Sequence, residues 1–265
     1  MDASYIITYR SEGEPRQANL EAILAWLRQL PDLQVMVVEQ DRAPTLSGAV
    51  LAGHCTHLFA FNPGPFNKSW GFNIGFKHTC GQVVAFGDAD VMVEAEALVQ
   101  SLQLCLTDYE AVKPYDRLVD LTPEETQHIL AGQSLHHADR SGQPPNREGS
   151  GEYICFCGGL FVVRRALFES LGGFDEKFLG WGGEDDAMTI KLQALSRNTH
   201  IVTGRTGYHL WHEKNPQRRF GQPFYPKNLA RLQHYQRLDL ATLQSLCERQ
   251  RRSMGNIHKY EFSHL

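Results

Sequence analysis

The alternation of short apolar runs with helix-spaced leucines over the first 115 residues limits this chain more than any other feature. Ala3 to Thr8 is a compact apolar run ending in Tyr9-Arg10, and Leu20, Ile23, Leu24, Leu27 and Leu30 then recur at helical spacing until Pro31 stops them. Gln34 to Val38 is the next strand, finishing in Glu39-Gln40-Asp41, and His57 to Phe61 is a third. A helix from Asn67-Lys68 to Gly81, a strand beginning at Val83, a helix from Ala95 to Leu106 and a strand from Ala111 to Tyr115 continue the rhythm. Strands joined through helices lie parallel, so the pattern predicts a layered α/β domain with one mixed, mostly parallel sheet flanked by helices. Ligands gather at the carboxyl ends of such strands, where Tyr9, Arg10, Glu39, Asp88 and Asp90 would all stand.

The fourth strand carries no charge until Asp88-Ala89-Asp90. Two carboxylates at a strand end make a seat for a hard divalent cation. Successive side chains of an extended chain alternate in direction, so the two acids are expected to do different work, one of them on the metal. The plain structural alternative is a turn that caps the next helix.

Residues 116–152 break the rhythm. Thr122-Pro123-Glu124-Glu125 is a helix start with a capping threonine, proline at the first helical position and a glutamate completing the box. The polar, turn-rich stretch from Ser141 to Gly151 follows, so the span reads as an insertion whose loop can cover the site, or as a surface connector. Gly158-Gly159 then leads back into an apolar strand, and Gly180-Trp181-Gly182-Gly183 precedes three successive acids, Glu184-Asp185-Asp186. Acids there favour a helix dipole, but their mutual repulsion also raises at least one pKa, which suits a general base. His209 and His212 stand three positions apart and can face one ion if the chain turns after its strand.

A formal charge of −4 argues against a nucleic-acid binder driven by phosphate attraction, and the cluster Arg249, Arg251, Arg252 reads as a solvated helix end. No apolar run approaches the ~20 residues of a membrane span, and no signal-peptide pattern is seen. The six cysteines, single or as Cys155-x-Cys157, match neither a disulfide framework nor a zinc spacing. A cytoplasmic protein is expected, with peripheral contact at the inner membrane face as the alternative. The leucines after Pro226 suggest an amphipathic helical extension over 220–265, behind a main domain of 1–219.

The order Phe66-Asn67-Lys68, Asn73-Ile74-Gly75, Asp88-Ala89-Asp90, Gly158-Gly159, Gly180-Trp181-Gly182-Gly183-Glu184-Asp185-Asp186 and His209-x-x-His212 resembles the β-1,4-galactosyltransferases and related bacterial capsule glycosyltransferases of the chondroitin-polymerase type. The resemblance runs from Tyr5 to about Arg219 and implies a GT-A fold using a UDP-sugar with Mn²⁺, Mg²⁺ being the substitute. Carried over by position, it implies that Thr8, Tyr9, Arg10, Phe66 and Lys68 bind the donor, with Asp88 near the ribose and Glu39 beside them. It implies Asp90, His209 and His212 as metal ligands, His209 falling where the vertebrate enzymes have methionine. It implies Asp185 as catalytic base, with Trp181, Glu184 and Asp186 on the acceptor side. Three positions depart from the pattern: Lys68 stands for an arginine, Ala187 for a fourth acid and Phe156 for a tyrosine that helps choose the donor sugar. The function implied is inverting transfer of galactose, N-acetylgalactosamine or glucose to a saccharide hydroxyl in capsule or polysaccharide synthesis. The alternatives are a non-catalytic sugar-nucleotide module of the same fold and a retaining transferase. Acceptor and oligomeric state are not legible.

Overall fold

The computed structural model describes residues 2–51, 55–133, 154–213 and 221–261. The strands are β1 (Ala3–Tyr9), β2 (Gln34–Asp41), β3 (Thr56–Phe61), β4 (Val83–Gly87), β5 (Val91–Met92), β6 (Ala111–Lys113), β7 (Arg117–Asp120), β8 (Leu160–Arg164), β9 (Thr199–Ile201) and β10 (Thr206–His209). The helices are α1 (Glu14–Leu27), α2 (Gly48–Leu51), α3 (Lys68–Lys77), α4 (Ala95–Thr107), α5 (Pro123–Leu130), α6 (Arg165–Ser170), α7 (Glu184–Leu195), α8 (Tyr225–Tyr235) and α9 (Leu240–Ser253). Seven strands form one sheet in the order β3-β2-β1-β4-β8-β6-β9. The first four are parallel, β8 runs antiparallel to both β4 and β6, and β9 is parallel to β6.

Two apolar layers sandwich this sheet. Tyr5, Ile7, Val35, Val37 and Ala85 face the layer that includes Leu20, Ile23 and Leu27 of α1 and Leu98 and Leu102 of α4. Ile6, Val38, Val84 and Phe86 face the layer of Trp70, Phe72, Phe161, Phe168 and Phe174. The alternation of faces along each strand follows from the two-residue repeat of extended chain. Helix α3 crosses β1 closely because its inner positions are glycines: a Cβ on Gly71 would lie 2.0 Å from Thr8 Oγ1, and one on Gly75 2.3 Å from Ile6 Cγ2. That close approach lays Lys68, the first residue of α3, over the end of β1.

The expected alternation past Gly87 does not survive. Strand β4 stops there, and Asp88-Ala89-Asp90 turns the chain into β5, which belongs to a second sheet of order β5-β10-β7. Asp88 and Asp90 diverge because of this turn and not because of a pleat. The 116–152 span also enters the fold, since its residues Arg117 to Asp120 form β7, parallel to Thr206–His209. Helix α5 starts as read, with Thr122 accepting from Glu125 N at 3.2 Å and Glu125 accepting from Thr122 N at 2.8 Å. The Ser141 to Gly151 stretch lies outside the described residues, as does Arg219.

Helices α8 and α9 dock on α7 through a buried polar relay. Asp175 Oδ2 accepts from Arg231 Nε at 2.6 Å and from Tyr235 OH at 2.7 Å, and Gln250 Nε2 donates to Tyr235 OH at 2.8 Å. Lys191, fully buried on α7, donates to Gln250 Oε1 at 2.9 Å and to Leu171 O at 2.8 Å. Such a satisfied network ties α7 firmly to both helices, because leaving any member buried and unpaired is costly. Among the described residues no helix is long and apolar enough to cross a membrane.

Candidate active site

The carboxyl ends of β1 and β4, the first turns of α3 and α7 and the turn after β10 surround one cleft of about 670 Å³, a size that suits a small organic ligand. Thr8, Tyr9, Arg10, Phe66, Lys68, Asp88, Asp90, Trp181, Glu184, Asp185, Asp186, His209 and His212 all line it. Glu39 does not, for a physical reason: it is fully buried behind the cleft, its Oε1 accepting from Thr45 N and Oγ1 at 2.6 Å each and its Oε2 lying 2.9 Å from His57 Nε2. Glu39 therefore fastens the loop after β2. Phe156 is likewise in the core, while Ile154 and Cys155 beside it face the cleft.

At one end of the cleft, single ligand atoms of Asp90, His209 and His212 lie within 4.8 Å of one another, all three side chains buried. His209 Nε2 is 3.7 Å from Asp90 Oδ1 and His212 Nε2 is 3.4 Å from Asp90 Oδ2. The main chain sets this convergence: Leu210 N donates to Asp90 O at 2.8 Å, and His209 pairs with Val91 across β10 and β5. Two imidazoles and a carboxylate on one side of a space fit a first-row divalent ion with positions left open. The site also asks for positive charge, since Arg16 Nη1 on α1 reaches to 2.6 Å of Asp90 Oδ2. Burial works against the Asp90 carboxylate, but His209, Arg16 and His212 outweigh it and hold its pKa below the usual range. Burial lowers the pKa of His212, keeping that imidazole neutral and able to ligate.

A second cluster stands beside the first. Lys68 Nζ is 2.8 Å from Asp88 Oδ1 and 2.9 Å from Asp185 Oδ2, so one ammonium joins the β4 turn to the start of α7. Burial opposes the charge on Lys68, yet Asp185 and Asp88 override it and hold its pKa well above normal. Burial pushes Asp185 up to about 6, with Lys68 pulling against it, and pushes Glu184 up to about 7, helped by Asp185. Among the described residues Asp185 Oδ1 and Glu184 Oε2 are buried without a hydrogen-bond partner, while the Asp185 side chain as a whole keeps 21% of its surface exposed. The three acids also occupy the first turn of α7, where the helix dipole favours them.

The loop before α7 is shaped by glycines with positive φ at Gly180, Gly182 and Gly183. It is held from both sides: Gly180 N donates to Phe66 O at 2.8 Å, and buried Asn228 of α8 donates to Leu179 O at 2.9 Å and Trp181 O at 3.2 Å. Trp181 is 37% exposed and stacks on Tyr225 at 5.8 Å between ring centroids. The floor of the cleft is the Gly158-Gly159 turn. There Asp88 N donates to Gly159 O at 2.7 Å, and Lys113, buried beneath, donates to Gly158 O at 2.9 Å. Arg10 spends its guanidinium on the carbonyls of Gln40, Gly64 and Asn62 at 2.8, 2.7 and 2.8 Å, clamping the strand ends more than reaching outward. Arg16, Lys113 and Asn228 escaped the sequence reading. Each acts through a contact distant along the chain, and no local spacing signals it.

Comparison with known proteins agrees with this geometry. A family model described as the N-terminal domain of galactosyltransferase matches residues 146–214, which include the glycine pair, the three acids and both histidines. Human chondroitin sulfate N-acetylgalactosaminyltransferase 2 is 29% identical over 161 residues, covering 56% of this chain and 27% of that protein. The chain thus spans about a quarter of the length of that relative. Among solved structures, the catalytic domain of Drosophila β-1,4-galactosyltransferase 7 superposes with a TM-score of 0.53 at 18% identity, over 86% of this chain and 79% of that one. A complex of the same Drosophila protein with manganese, UDP-Gal and xylobiose gives 0.54 at 18% identity, over the same shares of the two chains. S. aureus TarS in complex with UDP-GlcNAc gives 0.57 at 14% identity, over 99% of this chain and 74% of that one.

Proposed function

We propose that this chain, a galactosyltransferase-like protein of the GT-A glycosyltransferase fold, moves a hexose or N-acetylhexosamine from a UDP-sugar to a saccharide hydroxyl with inversion. The observation that carries the reading is that Asp90, His209 and His212 converge at one end of the cleft that Asp185 also lines. Mn²⁺, named with UDP-Gal in the Drosophila complex, suits this ligand set, and Mg²⁺ is the substitute. Asp90, His209 and His212 would hold the ion, which when bound supplies Lewis-acid stabilisation of the departing diphosphate.

Lys68 and Arg16 bring positive charge to the donor side of the cleft, where the diphosphate carries negative charge. The acceptor oxygen attacks the anomeric carbon from the face away from the diphosphate, the carbon–phosphate oxygen bond breaks, and the hydroxyl proton passes to the Asp185 carboxylate, which lines the cleft with 21% of its side chain exposed. A carboxylate is a weak base for a sugar hydroxyl, but proton transfer comes late, once bond formation has acidified it. The Trp181 loop, with Glu184 and Asp186, forms the acceptor side. Capsule or polysaccharide assembly at the cytoplasmic side of a membrane is the setting we propose.

The test is a screen of UDP-sugars against monosaccharide and capsule-oligosaccharide acceptors, reading UDP release, with product anomer assigned by NMR. EDTA is expected to stop turnover and Mn²⁺ to restore it. Asp185→Asn is expected to lose ~10²–10⁴-fold in transfer while UDP binding survives. Turnover indifferent to chelation, or an Asp185→Asn variant with unchanged transfer, would refute the assignment.

A further inference from the structure

The metal cluster is held from behind by residues of β7 and α5, in the span that reads from sequence as an insertion. His209 and Asp120 are register partners in the β10–β7 pair, and His209 Nδ1 lies 2.8 Å from Asp120 Oδ1. The pair sits at ion-pair distance without the alignment of a full hydrogen bond. The backbone repeats the link one residue on, Leu121 N donating to His209 O at 2.9 Å. Between the two histidines, Trp211 N donates to Thr126 Oγ1 at 2.8 Å and Trp211 O accepts from Asn19 Nδ2 at 3.1 Å. Thr126 and Asn19 are 3% and 1% exposed, so a buried side chain holds each end of this part-buried peptide segment.

From these contacts we infer that Asp120 and Thr126 are positioning residues of the metal centre. A ligating imidazole works through one nitrogen, and the group facing its other nitrogen fixes tautomer and ring orientation. Asp120 places a carboxylate at Nδ1 of His209 and so turns Nε2 toward Asp90 with its lone pair free. His212 receives the same service from its own neighbour, its Nδ1 lying 3.2 Å from Glu213 O. Thr126 and Asn19 fix the chain between the ligands, which sets the separation of the two imidazoles. The inference rests on the metal reading of Asp90, His209 and His212, and it makes 117–130 a working part of that centre.

The experiment titrates Mn²⁺ alone into the full chain and follows loss of the electron paramagnetic resonance signal of free Mn²⁺, with melting of the metal-free protein as control. Asp120→Ala and Thr126→Val are expected to weaken Mn²⁺ binding ~10–100-fold. Asp120→Asn and Thr126→Ser, which keep an acceptor oxygen, are expected to retain most of it. Excess Mn²⁺ should restore turnover in the weakened variants. Wild-type Mn²⁺ affinity in both Asp120→Ala and Thr126→Val overturns the inference while leaving the metal reading intact, as does equal loss in Thr126→Ser and Thr126→Val. A parent chain that binds no Mn²⁺ overturns the metal reading itself, and this inference with it.

Discussion

Lys68 offers the sharpest test of the electrostatics around Asp185. Its ammonium is shared between Asp88 and Asp185, at 2.8 and 2.9 Å, with the Lys68 and Asp185 side chains 11% and 21% exposed. Burial raises the pKa of Asp185, Lys68 opposes that rise, and the net result is about 6. Lys68→Met removes the opposing charge and leaves burial and the repulsion from Asp88. A contacting opposite charge shifts a carboxyl by ~1–3 units, and sharing the ammonium between two acids puts the expected change in the lower part, ~1–2 units or ~1.4–2.7 kcal/mol. A base works ionised, so activity is present above its pKa and lost below it, and raising the pKa moves the acid limb to higher pH. The assay is kcat/KM for the donor across about pH 5 to 9, since this ratio reports the free enzyme. Glu184, pushed up to about 7, titrates in the same region, so the limb belongs to the pair, and the series is repeated in a Glu184→Gln background. Lost donor binding lowers the whole curve without moving it. A limb that stays in place, or shifts to lower pH, refutes the proposed coupling of Lys68 to the base.

Asn228 should behave as a support for the acceptor side, because it hydrogen-bonds both Leu179 and Trp181 from α8. Asn228→Leu is expected to cost ~1–3 kcal/mol of stability and to raise acceptor KM about tenfold with donor KM unchanged, and equal effects on both substrates would count against it. Gly87 ends β4 where a Cβ would lie 1.9 Å from Tyr5 OH, a buried ring that cannot swing away. Gly87→Ala is therefore expected to destabilise by ~1–3 kcal/mol and lower Tm by several degrees, checked by calorimetry; an unchanged Tm would show that the β1–β4 contact yields.

What the linear chain determines here is whatever depends on near neighbours. Apolar period, the Thr122 capping box and the acids opening α7 are all local, so strands, helices and the layered sheet are legible before any coordinates, although α1 ends at Leu27, short of Leu30 and Pro31. The glycine-flanked acids and the histidine pair are legible for the same reason, each being a short segment with its own chemistry. Tertiary structure alone decides which of these segments meet. Asp90 and His209 converge through a second small sheet, joined by main-chain bonds that no spacing announces. The strand-end place of Glu39 points to the cleft, but a strand also has an inward side, and its carboxyl is consumed there by Thr45 and His57. The turn at Ala89 separates Asp88 from Asp90 by rotation of the chain, and gives the first to Lys68 and the second to the histidines. Such partnerships link residues far apart along the backbone. Their strength lies in desolvation and distance, quantities that come into being only when the fold closes around them.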